Sequence, residues 1–172
     1  MQPDFETARL KIRPRTLADT EFCLAMDREP GVLRFLGGPR EDAAAHRAVV
    51  EARTVGPYAA GLGYWMVCRR AVPGEALGWV LLIPNDAVGP EIEIGWWFRP
   101  AFWGQGFATE ASGAVLAHAF GTLKLPALIA EIHPENAGSI AVARKLGFVA
   151  TAAKNGPYRR FEMPAPKLAA YR

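Results

Sequence analysis

The chain has 172 residues, 51% hydrophobic and 22% charged, which is the composition of a folded globular domain and excludes a largely disordered one. Lys and Arg number 20 and Asp and Glu 17, a formal charge of +3 with no run of five like charges, so a nucleic-acid arm or a membrane patch is not indicated and a small anionic ligand suits the surplus. The length fits a single domain over residues 1–172, no stretch approaches the ~20 apolar residues of a membrane span, and the first residues lack the pattern of a signal peptide. Cys23 and Cys68 make neither a disulfide framework nor a CxxC pair, and His46, His118 and His133 are scattered, so the expectation is a cytoplasmic protein with no metal site.

Residues 9–15 read as a strand, with Leu10 and Ile12 alternating against Lys11 and Arg13. Thr16 opens a helix in which Asp19 completes a capping-box variant and Phe22, Ala25 and Met26 form the apolar stripe. Pro30 and Gly31 break it, and an Ala-rich helix follows over residues 40–54. Strand-like runs at 63–69, 76–83 and 91–98 are spaced for an antiparallel meander. A helix is expected from about 105 to 122, a short buried strand at 128–132, and a last helix at 137–146 ending in Arg144, Lys145 and Gly147. Residues 148–152 and 158–163 form a closing strand pair around Asn155-Gly156-Pro157, and the tail after Pro164 is loosely held. The sum is an α+β domain with a mixed, mostly antiparallel sheet of about seven strands and about four helices. Its centre is a strand–helix–strand unit over residues 91–132, which demands two parallel strands.

That unit carries the chemistry. Glu91-Ile92-Glu93-Ile94-Gly95-Trp96-Trp97-Phe98 runs into Trp103-Gly104-Gln105-Gly106-Phe107-Ala108-Thr109, a strand entering a glycine turn that opens a helix. Backbone N–H groups at a helix start cradle phosphate oxygens, and Gly104 and Gly106 permit close approach. A Walker loop is excluded because no Lys occurs between Trp103 and Lys124, and the dinucleotide fingerprint because Thr109 stands where its third glycine belongs.

These residues resemble the GNAT superfamily of acyl-CoA-dependent N-acetyltransferases. The family's pyrophosphate loop reads Gln or Arg, two residues, Gly, one residue, then Gly or Ala; here Trp103 replaces the Gln or Arg. That replacement is similar to the branch containing the ribosomal-protein N-terminal acetyltransferases, as are Thr7-Ala8-Arg9-Leu10-Lys11-Ile12-Arg13-Pro14 and the stretch from Asn136 through Ser139 to Gly147-Phe148. The resemblance covers about residues 7–163.

The resemblance implies a GNAT-like fold and acetyl-CoA as donor. It implies that the loop Trp103, Gly104, Gln105, Gly106, Phe107, Ala108 and Thr109 holds the CoA pyrophosphate through its amides. Trp96, Trp97 and Phe98 would pair with the pantetheine as a further strand, a backbone N–H near Phe98 would polarise the thioester carbonyl, and Asn136 would hydrogen-bond the pantetheine arm. The amine attacks directly, so a base is needed. Glu91 and Glu93 share one face of the entering strand; Glu93, nearer the turn, is the expected base, with Glu91 the alternate should a bulge reverse parity. Many relatives place a Tyr acid where this chain has Ala143, so Ser139, one turn earlier, becomes the candidate acid. Lys145 is a candidate contact to the CoA phosphates, although Arg144 and Lys145 also suit a helix C-terminus without any ligand.

Plainer readings stand beside these. The two glutamates suit a solvated strand face, Asn136 a helix N-cap, Ser139 a first-turn serine, and the tryptophans a core. The acceptor is expected to be a primary amine, favoured as a protein or peptide N-terminus, from a monomer or homodimer. Its specificity would reside in residues 34–40 and 56–63, with Phe35, Tyr58 and Tyr64 lining the cleft. Two alternatives compete: an acetyl-CoA-binding regulatory domain without catalysis, and an aminoglycoside-type acetyltransferase attracting a cation through Glu41, Asp42 and Glu51.

Overall fold

The computed structural model describes residues 2–35, 42–87 and 89–166. Its elements, in chain order, are β1 (Phe5–Glu6), β2 (Leu10–Pro14), α1 (Thr20–Asp27), α2 (Pro30–Leu33), α3 (Ala43–Val55), β3 (Gly63–Arg69), β4 (Ala76–Pro84), β5 (Ile92–Phe98), α4 (Phe107–Ala117), β6 (Ala127–Ile132), α5 (Ala137–Leu146), β7 (Val149–Asn155) and β8 (Tyr158–Pro164). One eight-stranded sheet has the order β1-β2-β3-β4-β5-β6-β8-β7. Every neighbouring pair is antiparallel except β5 and β6. The expected meander and parallel pair are both present, and the α+β GNAT-like architecture holds.

Two counts differ from expectation. The strand β1 adds an eighth, and α2 adds a fifth helix where a break was expected. Pro30 occupies the first helical position of α2, where a missing N–H costs nothing, so it starts a turn of helix as well as ending α1. The Thr16–Asp19 capping box is present, but it opens a short 3₁₀ turn ahead of α1. The Gly147 C-cap adopts the left-handed conformation that closes α5, and Gly106 adopts the same conformation at the start of α4. The expected loose tail beyond residue 166 and the specificity residues 36–40 lie outside the described residues, as do Arg40 and Glu41.

The sheet separates two cores. On one face Leu10, Ile12, Trp65, Val80, Ile94, Phe98 and Phe161 pack against Phe107, Ala111 and Val115 of α4 and Ala143 of α5. On the other, Tyr64, Met66, Trp79, Leu81 and Ile83 pack beneath Cys23, Leu24, Met26, Val32 and Val50, from α1, α2 and α3. Strand alternation therefore assigns even-numbered residues of β5 to the α4 face and odd-numbered residues to the α1–α3 face. No helix among the described residues is long and apolar enough to cross a membrane.

Candidate active site

The parallel pair is the structural irregularity on which the site depends. Only Glu93 and Ile129 pair between β5 and β6. Beyond that point β5 continues along β4 through Phe98, and β6 continues along β8 through Ile132, so the two strands part. Arg99 donates its N–H to Leu77 on the β4 side. By alternation, the backbone N–H and C=O of Phe98 and Trp96 point the other way, into the gap. The Phe98 carbonyl is already taken by the Trp103 indole N–H at 2.6 Å. Both helices that follow these strands, α4 after β5 and α5 after β6, begin at the same end of the parallel pair. Their N-termini flank the mouth of the gap, where open α/β arrangements hold ligands.

The loop at the α4 N-terminus fits a diphosphate. Gly104 and Gly106 have φ of +73° and +79°, which only glycine adopts without strain. A Cβ on Gly104 would meet nothing within 4 Å, so its surface is bare backbone. The first intrahelical donor is Glu110, to the Gly106 carbonyl, and the N–H groups of residues 104–109 donate to no acceptor among the described residues. Glu110 does not face this cradle. It accepts from Thr7 Oγ1 at 2.6 Å, the Arg9 N–H at 3.0 Å and Arg9 Nε at 2.6 Å, which ties the first turn of α4 to the start of β2. Burial would raise its carboxyl, but these donors outweigh that and hold it below the usual range.

Glu93 lies at the apex, where the strands still touch. Burial, and then the negative charges of Glu131 and Asp86, push its carboxyl up to about 7, against a partial offset from the Glu131 backbone N–H and from Arg53. Glu91 is in a different situation. It is exposed, and Arg160 Nη1 binds both its oxygens at 2.9 and 2.8 Å. The β4–β5 register runs without a bulge from Ile92 to Phe98, so parity is not reversed. Arg160 Nη2 also reaches Glu131 at 3.2 Å, and Asn155 donates to the same carboxylate at 2.7 Å. The neighbour that raises Glu93 is thus itself held by two donors.

On the α5 side, Asn136 is the N-cap, accepting from the Ser139 N–H at 3.0 Å, and the Ser139 hydroxyl bonds to no group among the described residues. Ala143 is fully buried against the core, so no acid occupies that position. Lys145 sits exposed in the last turn of α5, roughly 13 Å along the helix axis from Asn136. The side chains of Trp96 and Phe98 pack toward the α4 core, so only their backbone is offered to the gap, whereas Trp97 points to the opposite face. Trp103 is 47% exposed and lies against α2, where a Cβ on Gly31 would touch its ring at 3.0 Å.

A family model described as an acetyltransferase (GNAT) domain matches residues 9–149. The chain belongs to the GNAT acetyltransferase family. An Aspergillus fumigatus protein named FsC-acetyl coenzyme A-N(2)-transacetylase is 32% identical over 158 residues, 85% of this chain and 65% of its own length. The chain thus spans less than two thirds of that curated relative. An acetyltransferase from Agrobacterium tumefaciens strain C58 superposes with a TM-score of 0.81 over 95% of both chains at 28% identity. A GNAT-family acetyltransferase from Bacillus anthracis shares the fold, with a TM-score of 0.73 at 21% identity over 93% of this chain and 96% of that one. Sequence reasoning within this GNAT chain missed the Arg160–Glu131–Asn155 cluster, because its members come from three strands and carry no local pattern. It also missed the Glu110 brace, whose donors lie about a hundred residues away. Among the described residues no group of three or more His, Cys, Asp or Glu side chains is arranged for a metal.

Proposed function

We propose that this protein transfers the acetyl group of acetyl-CoA directly to the nitrogen of a primary amine, with Glu93 as the base. The observation that carries the reading is a carboxyl raised to about 7 at the point where β5 and β6 separate, with a cradle of unpaired backbone N–H groups at the mouth of the same gap. The name of the A. fumigatus relative, which combines acetyl coenzyme A with an N(2) position, supports a nitrogen acceptor.

Residues 104–109 would hold the diphosphate, and the outward backbone N–H and C=O of Trp96 would hold the amides of the pantetheine arm. Bound acetyl-CoA supplies an activated thioester. Glu93 takes the proton that an amine, largely an ammonium at neutral pH, must lose before its lone pair can attack. A carboxylate with a pKa near the working pH both accepts and releases that proton readily. The outward N–H of Phe98 opposes charge building on the acyl oxygen. As the N–C bond forms and the C–S bond breaks, the departing thiolate takes a proton from water, directly or relayed through the Ser139 hydroxyl, which regains its own proton from solvent. Asn136 orders the first turn of α5 and so positions Ser139.

Calorimetric titration with acetyl-CoA, followed by amine-dependent thiol release, tests this reading. The expected result is saturable binding at one site per chain, weakened by Gly106→Val, and thiol release with at least one amine. Binding without turnover over a broad amine panel would favour a regulatory domain, and no binding at millimolar ligand would overturn the reading.

A further inference from the structure

The face of β5 that carries Glu93 also borders a recess unrelated to the CoA side. It has a volume of about 60 Å³, with Tyr64, Trp79 and Trp97 as its floor and Arg15, Asp27 and His46 on its walls. That is room for a group of a few atoms. Arg15 is only 7% exposed. Its Nε and Nη2 are buried without a hydrogen-bond partner, and Nη1 reaches nothing better than Cys23 Sγ at 3.9 Å. Arg13, two residues earlier on the same face, shows the contrast: both its terminal nitrogens grip Asp19, at 2.8 and 2.6 Å. No carboxylate among the described residues pairs with Arg15.

A guanidinium taken out of water without an anion is costly, and the aromatic ring beneath it offsets only part of that. The Arg15 guanidinium carbon lies 3.8 Å from the Tyr64 ring centre, so one face of the fork is covered while its buried Nε–Nη2 edge has no protein partner. The surrounding groups do not cancel its charge. The Asp27 carboxylate is engaged by His46 Nε2 at 2.9 Å, Arg53 adds a second cation to the lining, and burial pushes the Cys23 thiol up to about 11, so it stays neutral. The two arginines against one aspartate leave a surplus of one positive charge.

Glu93 lies one row along the same sheet face from the recess. Tyr64, Leu81 and Gly95 form one cross-strand row, and Ile83 and Glu93 form the next. Adjacent rows on one face are roughly 7 Å apart. Gly95 makes room for the Trp97 ring, which leans back across it so closely that a Cβ there would sit 2.7 Å from the ring. We propose that Arg15 is a specificity residue that binds a carboxylate carried by the amine acceptor, so that the substrate class is small amino acids and not simple alkylamines. The flat, singly charged carboxylate matches the free edge of a guanidinium held between aromatic rings, through two parallel N–H···O bonds. This inference rests on the acetyl-transfer reading.

The test compares α-, β- and γ-amino acids with their carboxamides, which keep the size and remove the charge. The wild-type protein, Arg15→Met and Arg15→Lys are each assayed for acetyl-CoA-dependent thiol release and for the thermal midpoint of the free protein with each compound. The expected result is a kcat/KM preference for at least one acid over its amide of about 10²-fold or more, since leaving a buried charge unpaired is heavily penalised. Arg15→Met reduces that ratio to within a few-fold, and Arg15→Lys retains part of it. Arg15→Met without ligand melts no lower than wild type, because the charge it removes has no partner; should it fail to fold, the Lys variant and the wild-type ratio still decide. The acids, and not the amides, raise the wild-type midpoint. Equal use of acids and amides by wild type, or an unchanged ratio in Arg15→Met, overturns the proposal. If no amine is turned over but the acid-specific midpoint shift is present and is lost in Arg15→Met, the anion site stands and the acetyl-transfer reading falls.

Discussion

At the scale of single residues, the two glutamates of β5 differ because of what surrounds them. Arg160 holds Glu91 at the surface, while Glu93 is half-buried beside Glu131 with its carboxyl raised to about 7. The folded state keeps this proton up to about pH 7, whereas the unfolded chain releases it near 4.5. The fold therefore binds more protons between those values, and its stability falls as pH rises through that window. Glu93→Gln should accordingly be more stable than wild type at pH 8, by up to about 3 kcal/mol, with the gap closing below about pH 5. Chemical denaturation at the two pH values measures it, and a pH-independent gap would contradict the assignment. Glu131→Gln removes the neighbouring negative charge and should move the acid limb of the rate profile to lower pH. Arg160→Met uncovers that charge and should move the limb to higher pH. Shifts in the same direction in both variants would exclude Glu131 as the perturbing charge.

At the scale of elements, the turn from β5 into α4 was the most legible part of the chain. Two glycines two residues apart, ahead of Phe107-Ala108 and a helical pattern, specify a bare helix start, and Gly104 and Gly106 do adopt positive φ there. Gly106→Val forces a branched side chain into that backbone and should weaken acetyl-CoA binding by about tenfold or more, roughly the 1–2 kcal/mol that a left-handed residue costs. Calorimetry measures it, and unchanged affinity would contradict the cradle. The sheet face that Glu93 takes was legible from alternation along β5, whose register with β4 is unbroken. The strand β1 was not, because two residues carry no period and Phe5–Glu6 is a strand only by pairing with Ile12 and Lys11. Arg15 was hidden for a related reason. A charged residue alternating with Leu10 and Ile12 reads as facing solvent, but here the face opposite Leu10 and Ile12 is covered by α1 and α3.

At the scale of the whole molecule, α2 links the two lips of the gap. Glu29, just before α2, binds Arg99 after β5 at 2.8 Å. Arg34, just after it, binds Glu135 before α5 at 2.9 Å, and the Phe35 ring meets the His133 ring at a tilt, with centres 5.7 Å apart. Nothing in the local sequence joins these pairs, since the partners lie about 70 and 100 residues apart. The Arg34–Glu135 pair is exposed and the Arg99–Glu29 pair half-exposed, so solvent screens both and their contribution to stability is small. Their consequence is positional: they hold α2 between the segment after β5 and the segment before α5. The double change Glu29→Ala with Arg34→Ala should raise the KM for the amine several-fold while leaving the melting temperature within a few degrees. Steady-state kinetics against calorimetry separates the two effects, and an unchanged KM would remove α2 from acceptor binding.

The role proposed for Glu93, raised toward neutrality where β5 and β6 part, is to take the proton from the attacking amine. The pH dependence of kcat/KM for the best amine, in wild type and in Glu93→Gln at saturating acetyl-CoA, tests it most directly. The wild-type rate should rise through an apparent pKa near 7, and the variant should be slower by about 10²–10⁴-fold and lack this limb while binding acetyl-CoA normally. The same limb persisting in Glu93→Gln, at a rate close to wild type, would contradict it.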